Sequence, residues 1–321
     1  IKIITKKPDT SSLDYGFDVE YGSLKEGAID SSLEAFVNIP IGSNMAARLS
    51  AYNVQDGGWI DNQKASFTYQ NGGINYTINN FTDPYDVAEN DYNDSTKEGA
   101  RLRLAGEFDN FDLDISFLTQ DSIVNGSYET DILNDLQTAE QSRRTNTRFA
   151  PEVYKDNFDQ MSISLSGSIT DDIDVVLTSS IFERDTEYTY DYSSYVEYYS
   201  YAAYSYYVCN YYEYYGYYYI DINDCRDPRM TYAQSNDIER TATEIRVSSD
   251  NDSGFNWVLG AFQETNEKVT DVDYLQPGGS YYTSGLSGTW WEADLDRKGE
   301  IQAIFGEAYI DINEKTQLTV G

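Results

Sequence analysis

Seventeen of the 32 residues from Tyr188 to Tyr219 are tyrosine, and no Lys or Arg occurs from Asp185 through Cys225. Tyrosine carries a large apolar ring and one hydroxyl on a side chain with few torsions, so it covers a flat ligand at low entropic cost. Sugars, catecholate rings and other planar groups suit such a surface. The densest part supplies the candidate ligand contacts: Tyr198, Tyr199, Tyr206, Tyr207, Tyr211, Tyr212, Tyr214 and Tyr215. Two other readings fit the same residues. One is a low-complexity surface loop that binds nothing. The other is a segment that packs on itself, since tyrosine favours strands. The two cysteines, Cys209 and Cys225, flank the end of this segment with 15 residues between them.

Other chemistries are bounded by composition. The 321 residues include no histidine, so Ser-His-Asp triads, Cys-His dyads and His-ligated zinc are excluded. Two cysteines alone make neither a zinc ribbon nor an iron–sulfur site. With 55 acids against 22 bases the formal charge is −33, which excludes a general nucleic-acid binder. Carboxylates are so frequent that no glycosidase-type pair stands out. Asp250-Asn-Asp-Ser-Gly254 faintly suggests a calcium loop, but Ala261 stands where a bidentate Glu is needed, and the segment fits a turn better. Asp86, Asp91 and Asp94 are candidates for calcium, with plain solvation as the alternative. There is no Walker-type Gly-x-x-x-x-Gly-Lys. The sequence predicts no catalysis and no cofactor.

The elements that must position these residues are strands. Leu13, Tyr15, Phe17, Val19 and Tyr21 alternate with Asp14, Gly16, Asp18 and Glu20. Leu33, Ala35, Val37 and Ile39 alternate with Ser32, Glu34, Phe36 and Asn38. Leu102 and Leu104 oppose Arg101 and Arg103; Leu113, Ile115 and Phe117 oppose Asp112, Asp114 and Ser116. The same holds for Met161–Ser166 and Thr243–Ser248. Strict period two is the pattern of a strand with one apolar and one polar face. Short turns at Gly42–Asn44, Asp109–Phe111, Thr170–Asp172, Asp250–Gly254 and Asn313–Lys315 alternate with long polar stretches, roughly 57–96, 122–156, 185–238 and 265–299. The reading gives about eleven strands. Mean hydropathy is −0.59 and no apolar run approaches a transmembrane helix, yet a barrel is compatible because its alternating strands average out. Short–long alternation is the loop asymmetry of an outer-membrane barrel. A soluble β-sandwich is the rival architecture.

Several segments resemble the TonB-dependent receptors of the Gram-negative outer membrane. Ile1–Pro8 (IKIITKKP) is similar to the last strand of their plug, usually I-N-I-I-T-K-x-P, with Lys2 in place of Asn. Val19–Leu24 (VEYGSL) resembles the first barrel strand and its corner. Asn38–Asn44 (NIPIGSN) resembles the first periplasmic turn. Arg48–Asn62 (RLSAYNVQDGGWIDN) resembles the third strand, whose form is R-x-S-x-x-x-x-x-x-D-G-[YW]-I-x-N. Thr243–Ser249, Trp257–Phe262 and Phe305–Gly321 resemble later hairpins. The pieces stand in family order and cover strands and short turns through the chain, with none of the long loops.

The resemblance implies an all-β fold: an antiparallel up-and-down transmembrane β-barrel of which this chain is about half. Residues 1–8 would end the plug, and 9–321 would be the N-terminal half of the barrel, with 185–238 a Tyr-rich extracellular loop. Ile1–Lys6 and Thr316–Gly321 read as strands entered and left midway, so a fragment is expected, with two open edges. The implied function is energised uptake of a scarce ligand, most often a ferric siderophore, with carbohydrate or vitamin B12 as alternatives. The implied partners are that ligand, the TonB complex acting through the plug, and outer-membrane lipid. In an oxidising extracellular loop Cys209 and Cys225 would pair as a disulfide. A passive porin or adhesin barrel is the remaining alternative, and Ile1–Pro8 argues against it.

Overall fold

A computed structural model describes residues 5–71, 74–83, 85–130, 144–193, 209–225, 227, 229–275 and 288–321. The chain opens with β1 (Asp14–Ser23), β2 (Ile29–Ile41) and β3 (Met45–Asp56). Five short strands follow: β4 (Asp61–Asn62), β5 (Ser66–Asn71), β6 (Ile74–Asn79), β7 (Phe81–Thr82) and β8 (Tyr85–Asp86). Then come β9 (Ser95–Glu107), β10 (Phe111–Asn125), the short β11 (Thr145–Asn146), β12 (Val153–Thr170) and β13 (Ile173–Asp191). A hairpin of β14 (Cys209–Tyr214) and β15 (Tyr217–Cys225) precedes β16 (Thr231–Ser249), β17 (Phe255–Leu275), β18 (Thr289–Asn313) and β19 (Thr316–Val320).

Eleven of these form one antiparallel sheet in the order β1-β2-β3-β9-β10-β12-β13-β16-β17-β18-β19. Each long strand pairs with the next long strand in the chain, which is up-and-down order. The sheet does not close on itself. The five short turns all lie at one end, and the expected turn residues occupy them. A sandwich would need a second sheet across one face. The described residues show a single layer, so that rival falls.

The two faces differ as the alternation requires. On one face the register runs Val37↔Leu49↔Leu102↔Phe117↔Met161↔Ile181 across six strands. On the later strands it runs Leu165↔Leu177↔Ile245↔Ala261↔Ile304. This belt is uncovered: Phe17 is 79% and Ile304 90% exposed. Soluble monomers rarely expose contiguous apolar patches beyond a few hundred Å². The belt carries no Lys or Arg, as contact with hydrocarbon demands.

One expectation fails in a useful way. Much of the long polar stretches is strand, not loop: 185–191, 231–238, 265–275 and 289–299 all lie in the sheet. β18 has 25 residues, where about 9–11 cross a membrane. Beyond the belt both faces are polar, so hydropathy loses its contrast. The main-chain ladder continues, because pairing satisfies backbone groups whatever the side chains are.

The buried core sits at the long-connection end. Ile60, Ile78, Tyr92, Ala150 and Met230 are buried there. They come from three long connections, β3 to β9, β10 to β12 and β13 to β16. Asn93 Oδ1 accepts from the amides of Trp59 and Ile60 at 2.8 and 2.7 Å. Asn62 Nδ2 donates to the Val87 carbonyl at 2.7 Å, and its Oδ1 accepts from the Arg148 amide at 2.8 Å. Asn80 Nδ2 donates to the carbonyls of Gln63 and Arg148 at 2.8 and 2.9 Å, and its Oδ1 accepts from the Ala65 amide at 2.8 Å. A Cβ on Gly58 would stand 1.7 Å from the Asp91 carbonyl oxygen, so only glycine allows this approach. The Asp56–Asn62 motif is thus the first thread of a knot tied by side-chain amides.

Candidate ligand-binding wall

The polar face carries two distinct sites. The lower one lies near the short turns. Arg103, on β9, donates from Nε and Nη2 to Asp114 on β10, the shortest bond 2.6 Å. Its Nη1 donates to the Thr5 carbonyl oxygen at 3.1 Å, and Arg101 donates to the Thr5 hydroxyl. Arg48 stacks over Phe36 at 3.9 Å from the ring centre. Tyr52 donates to Gln120 Oε1 at 2.7 Å. Thr5, Phe36, Arg48, Tyr52, Arg101 and Arg103 line a cleft of about 550 Å³ between the wall and the segment before β1. Further along that segment, Asn38 Nδ2 donates to the carbonyls of Asp9 and Ser12, both at 2.9 Å. Residues 5–12 therefore lie against the polar face, clamped at both ends.

The upper site is aromatic. The register places Tyr154 opposite Tyr188, Tyr232 opposite Tyr274, and Tyr274 opposite Trp291. All five share the parity of Arg184 and Thr178, so they stand on the polar face. Centroids follow one another at 6.0 Å (Tyr154–Tyr188), 6.1 Å (Tyr188–Tyr232), 5.1 Å (Tyr232–Tyr274) and 5.5 Å (Tyr274–Trp291). Every step is edge-to-face, the favoured geometry for ring quadrupoles. The result is a ladder of one ring per strand across five adjacent strands.

Beside it lies a cleft of about 340 Å³ lined by Tyr154, Tyr188, Tyr190, Ser127, Glu129 and Glu152, among others. Tyr190 donates to Glu129 Oε1 at 2.5 Å. Burial first, and then this bond, push the Tyr190 phenol up from its ordinary value, so it stays protonated. Burial likewise raises Tyr188. Arg148 lies 3.3 Å from each of Glu129 and Glu152. Burial pushes the Glu152 and Asp191 carboxyls up, against the pull of Arg148. Phe149 donates its amide to Asp191 Oδ2 at 2.6 Å, and Asp191 donates its amide to Glu152 Oε1 at 3.2 Å. These bonds tie the cleft to the knot below it.

The expected ligand contacts are placed only in part. Tyr198, Tyr199, Tyr206 and Tyr207 lie outside the described residues. Tyr211 and Tyr212 belong to β14. Tyr214 and Tyr215 stand at the tip of the β14–β15 hairpin, exposed, with centroids 4.5 Å apart. Tyr215 and Gly216 have φ of 53° and 76°, the two left-handed positions of a type I′ turn. Cys209 and Cys225 face each other in the register of this hairpin. The ring ladder itself was missed, apart from Tyr188. Its signal was an aromatic at the parity opposite to the apolar belt, repeated 15 or more residues beyond the short turns. Among the described residues no group of three acids, cysteines or histidines is placed to hold a metal, Asp86, Asp91 and Asp94 included.

A single eleven-stranded antiparallel sheet in up-and-down order, apolar on one face and charged on the other, with connections knotted at one end, defines an open portion of a β-barrel. In structure the chain is similar to the ferric yersiniabactin uptake receptor FyuA from Yersinia pestis, with a TM-score of 0.58 at 10% identity, over 97% of this chain and 46% of that one. It also matches the ferric-catecholate import receptor Fiu from E. coli K12. The open form gives a TM-score of 0.42 at 11% identity, over 97% and 54% of the two chains. The closed form gives 0.41 at 12%, over 97% and 50%. The chain spans about half the length of these structures. No family model and no curated protein matches it in sequence.

Proposed function

We propose that residues 1–8 are the end of a plug and 9–321 the first half of the barrel of a TonB-dependent outer-membrane receptor that takes up a scarce ligand. The observation that carries this is the path of Thr5 to Ser12. Arg101, Arg103 and Asn38 hold this strap against the polar face, and its first residues, 5–8, close the segment that resembles the end of a plug. The barrel lumen is then the polar face, the short turns are periplasmic, and the knotted connections are extracellular. Energy comes from the inner-membrane TonB complex pulling on the plug, and the reading assigns no chemical catalysis.

Ferric siderophore as cargo is supported by the resemblance and by the printed name of FyuA. Carbohydrate is favoured by a different observation, the ring ladder. The test of the receptor reading is transport by the product of the complete reading frame in an outer membrane. Uptake should stop when TonB is deleted or the proton gradient is collapsed. Uptake that continues unchanged would refute energy coupling and favour a passive barrel.

A further inference from the structure

We infer that the ring ladder and the cleft beside it form a capture subsite for a neutral oligosaccharide. This deepens the receptor reading and rests on it for assigning the polar face to the lumen.

The first argument is position. Tyr154 lies 17 residues from the short turn after β12, and Tyr274 lies 20 residues from the turn before β17. A strand crosses hydrocarbon in about 9–11 residues. The ladder therefore stands in water, at the level where a ligand first meets the wall. The second is shape. One ring per strand across five strands makes an elongated aromatic surface, which suits a chain of flat units better than a single compact ligand. Trp291 ends the row and is 48% exposed. The third is rigidity. The rings stand on paired strands, and the cleft is bonded into the knot through Glu152, Asp191 and Phe149. A preformed site loses less on binding.

The fourth argument selects the chemistry. Ionised carboxylates only accept hydrogen bonds, and neutral phenols both donate and accept. The polar lining thus fits a ligand rich in hydroxyls. An anionic ligand would need a cation, and among the described residues that line the cleft there is no Lys or Arg, while Arg148 beside it is committed to Glu129 and Glu152. A ferric tris-catecholate, which is anionic, meets carboxylates here. A sugar chain offers apolar ring faces to the tyrosines and hydroxyls to Glu129 and Ser127.

The test uses the full receptor purified in detergent, with calorimetric titration of maltohexaose, cellohexaose, xylohexaose and laminarihexaose, and of a ferric tris-catecholate. At least one hexaose should bind and the catecholate should not. Tyr188→Ala and Trp291→Ala should each weaken that binding tenfold or more. Tyr188→Phe, which keeps the ring, should weaken it less than threefold. Heat-modifiable gel migration checks that each variant folds. Binding of none of the hexaoses, or binding indifferent to Tyr188→Ala and Trp291→Ala, overturns the inference. Catecholate binding would overturn it and leave the receptor reading standing; loss of TonB dependence would instead sink that reading.

Discussion

Arg103 donates from Nη1 to the main-chain carbonyl oxygen of Thr5 at 3.1 Å, while the rest of its guanidinium is gripped by Asp114. Arg103, only 14% exposed, thus joins the wall to the strap beside the bonds from Arg101 and Asn38. Arg103→Lys keeps the charge but loses the planar fork that reaches both partners. Arg103→Ala also leaves Asp114 unpaired, at a cost of about 2 kcal/mol. In the full-length protein both variants should make the 5–12 segment accessible to protease, with Ala the more severe. Unchanged cleavage rates in both would contradict the clamp.

Asn80 is fully buried and ties three parts of the knot with one amide. Asn80→Ala leaves two carbonyls and an amide without partners, which costs about 2–4 kcal/mol. Asn80→Asp puts an acceptor against those two carbonyls and should be at least as harmful. The barrel belt makes no contact with Asn80, so heat-modifiable migration should survive. The 63–93 connection should become protease-sensitive. Equal resistance of all three proteins would show that the knot does not depend on this amide.

Glu152 and Asp191 are raised from 4.5 and 3.8 by burial. Between those values and their higher folded values, the folded knot holds protons that the open state has released. Stability therefore falls as pH rises through that window, by up to about 1.4 kcal/mol per pH unit for each group, and is greatest below it. Hydrogen exchange at the Phe149 and Asp191 amides should speed up across the window beyond the intrinsic base-catalysed trend. Glu152→Gln should flatten the response. Protection that instead grows with pH would reverse the assigned sign.

Cys209 and Cys225 are directly opposed across β14 and β15. Opposed residues of an antiparallel pair have Cα atoms about 4.5–5.5 Å apart, inside the range a disulfide spans. In an oxidising compartment the pair should close, stabilising the hairpin by about 3 kcal/mol. Alkylation of the unreduced native protein should label neither cysteine, and prior reduction should expose both. Complete labelling without reductant would exclude the bond.

Strand number, short turns and the apolar belt were legible in the residues themselves. Period two is a local property: once Leu102, Phe117 and Met161 must share a face, Arg101, Asp114 and Ser162 must share the other. The turn residues mark where that pattern stops. The Asp56–Asn62 motif was legible as a resemblance, but not as the thread of a knot, because its partners Asn80, Asn93 and Arg148 are 18 to 86 residues away. The reach of the strands past the belt was hidden because polar residues on both faces leave no contrast, although the backbone ladder still holds.

The sequence by itself determined the sheet, because alternation, turn chemistry and the lack of charge on one face act over a few residues. It also excluded histidine chemistry and nucleic-acid binding by composition. Only the tertiary structure decided which aromatics stand together. Tyr154, Tyr188, Tyr232, Tyr274 and Trp291 are scattered over more than a hundred residues, and nothing local links them. Register aligns them, since each strand's height is set by the turn beneath it. The dense tyrosine run drew attention by its composition, yet the continuous ring surface is built mostly from residues outside it.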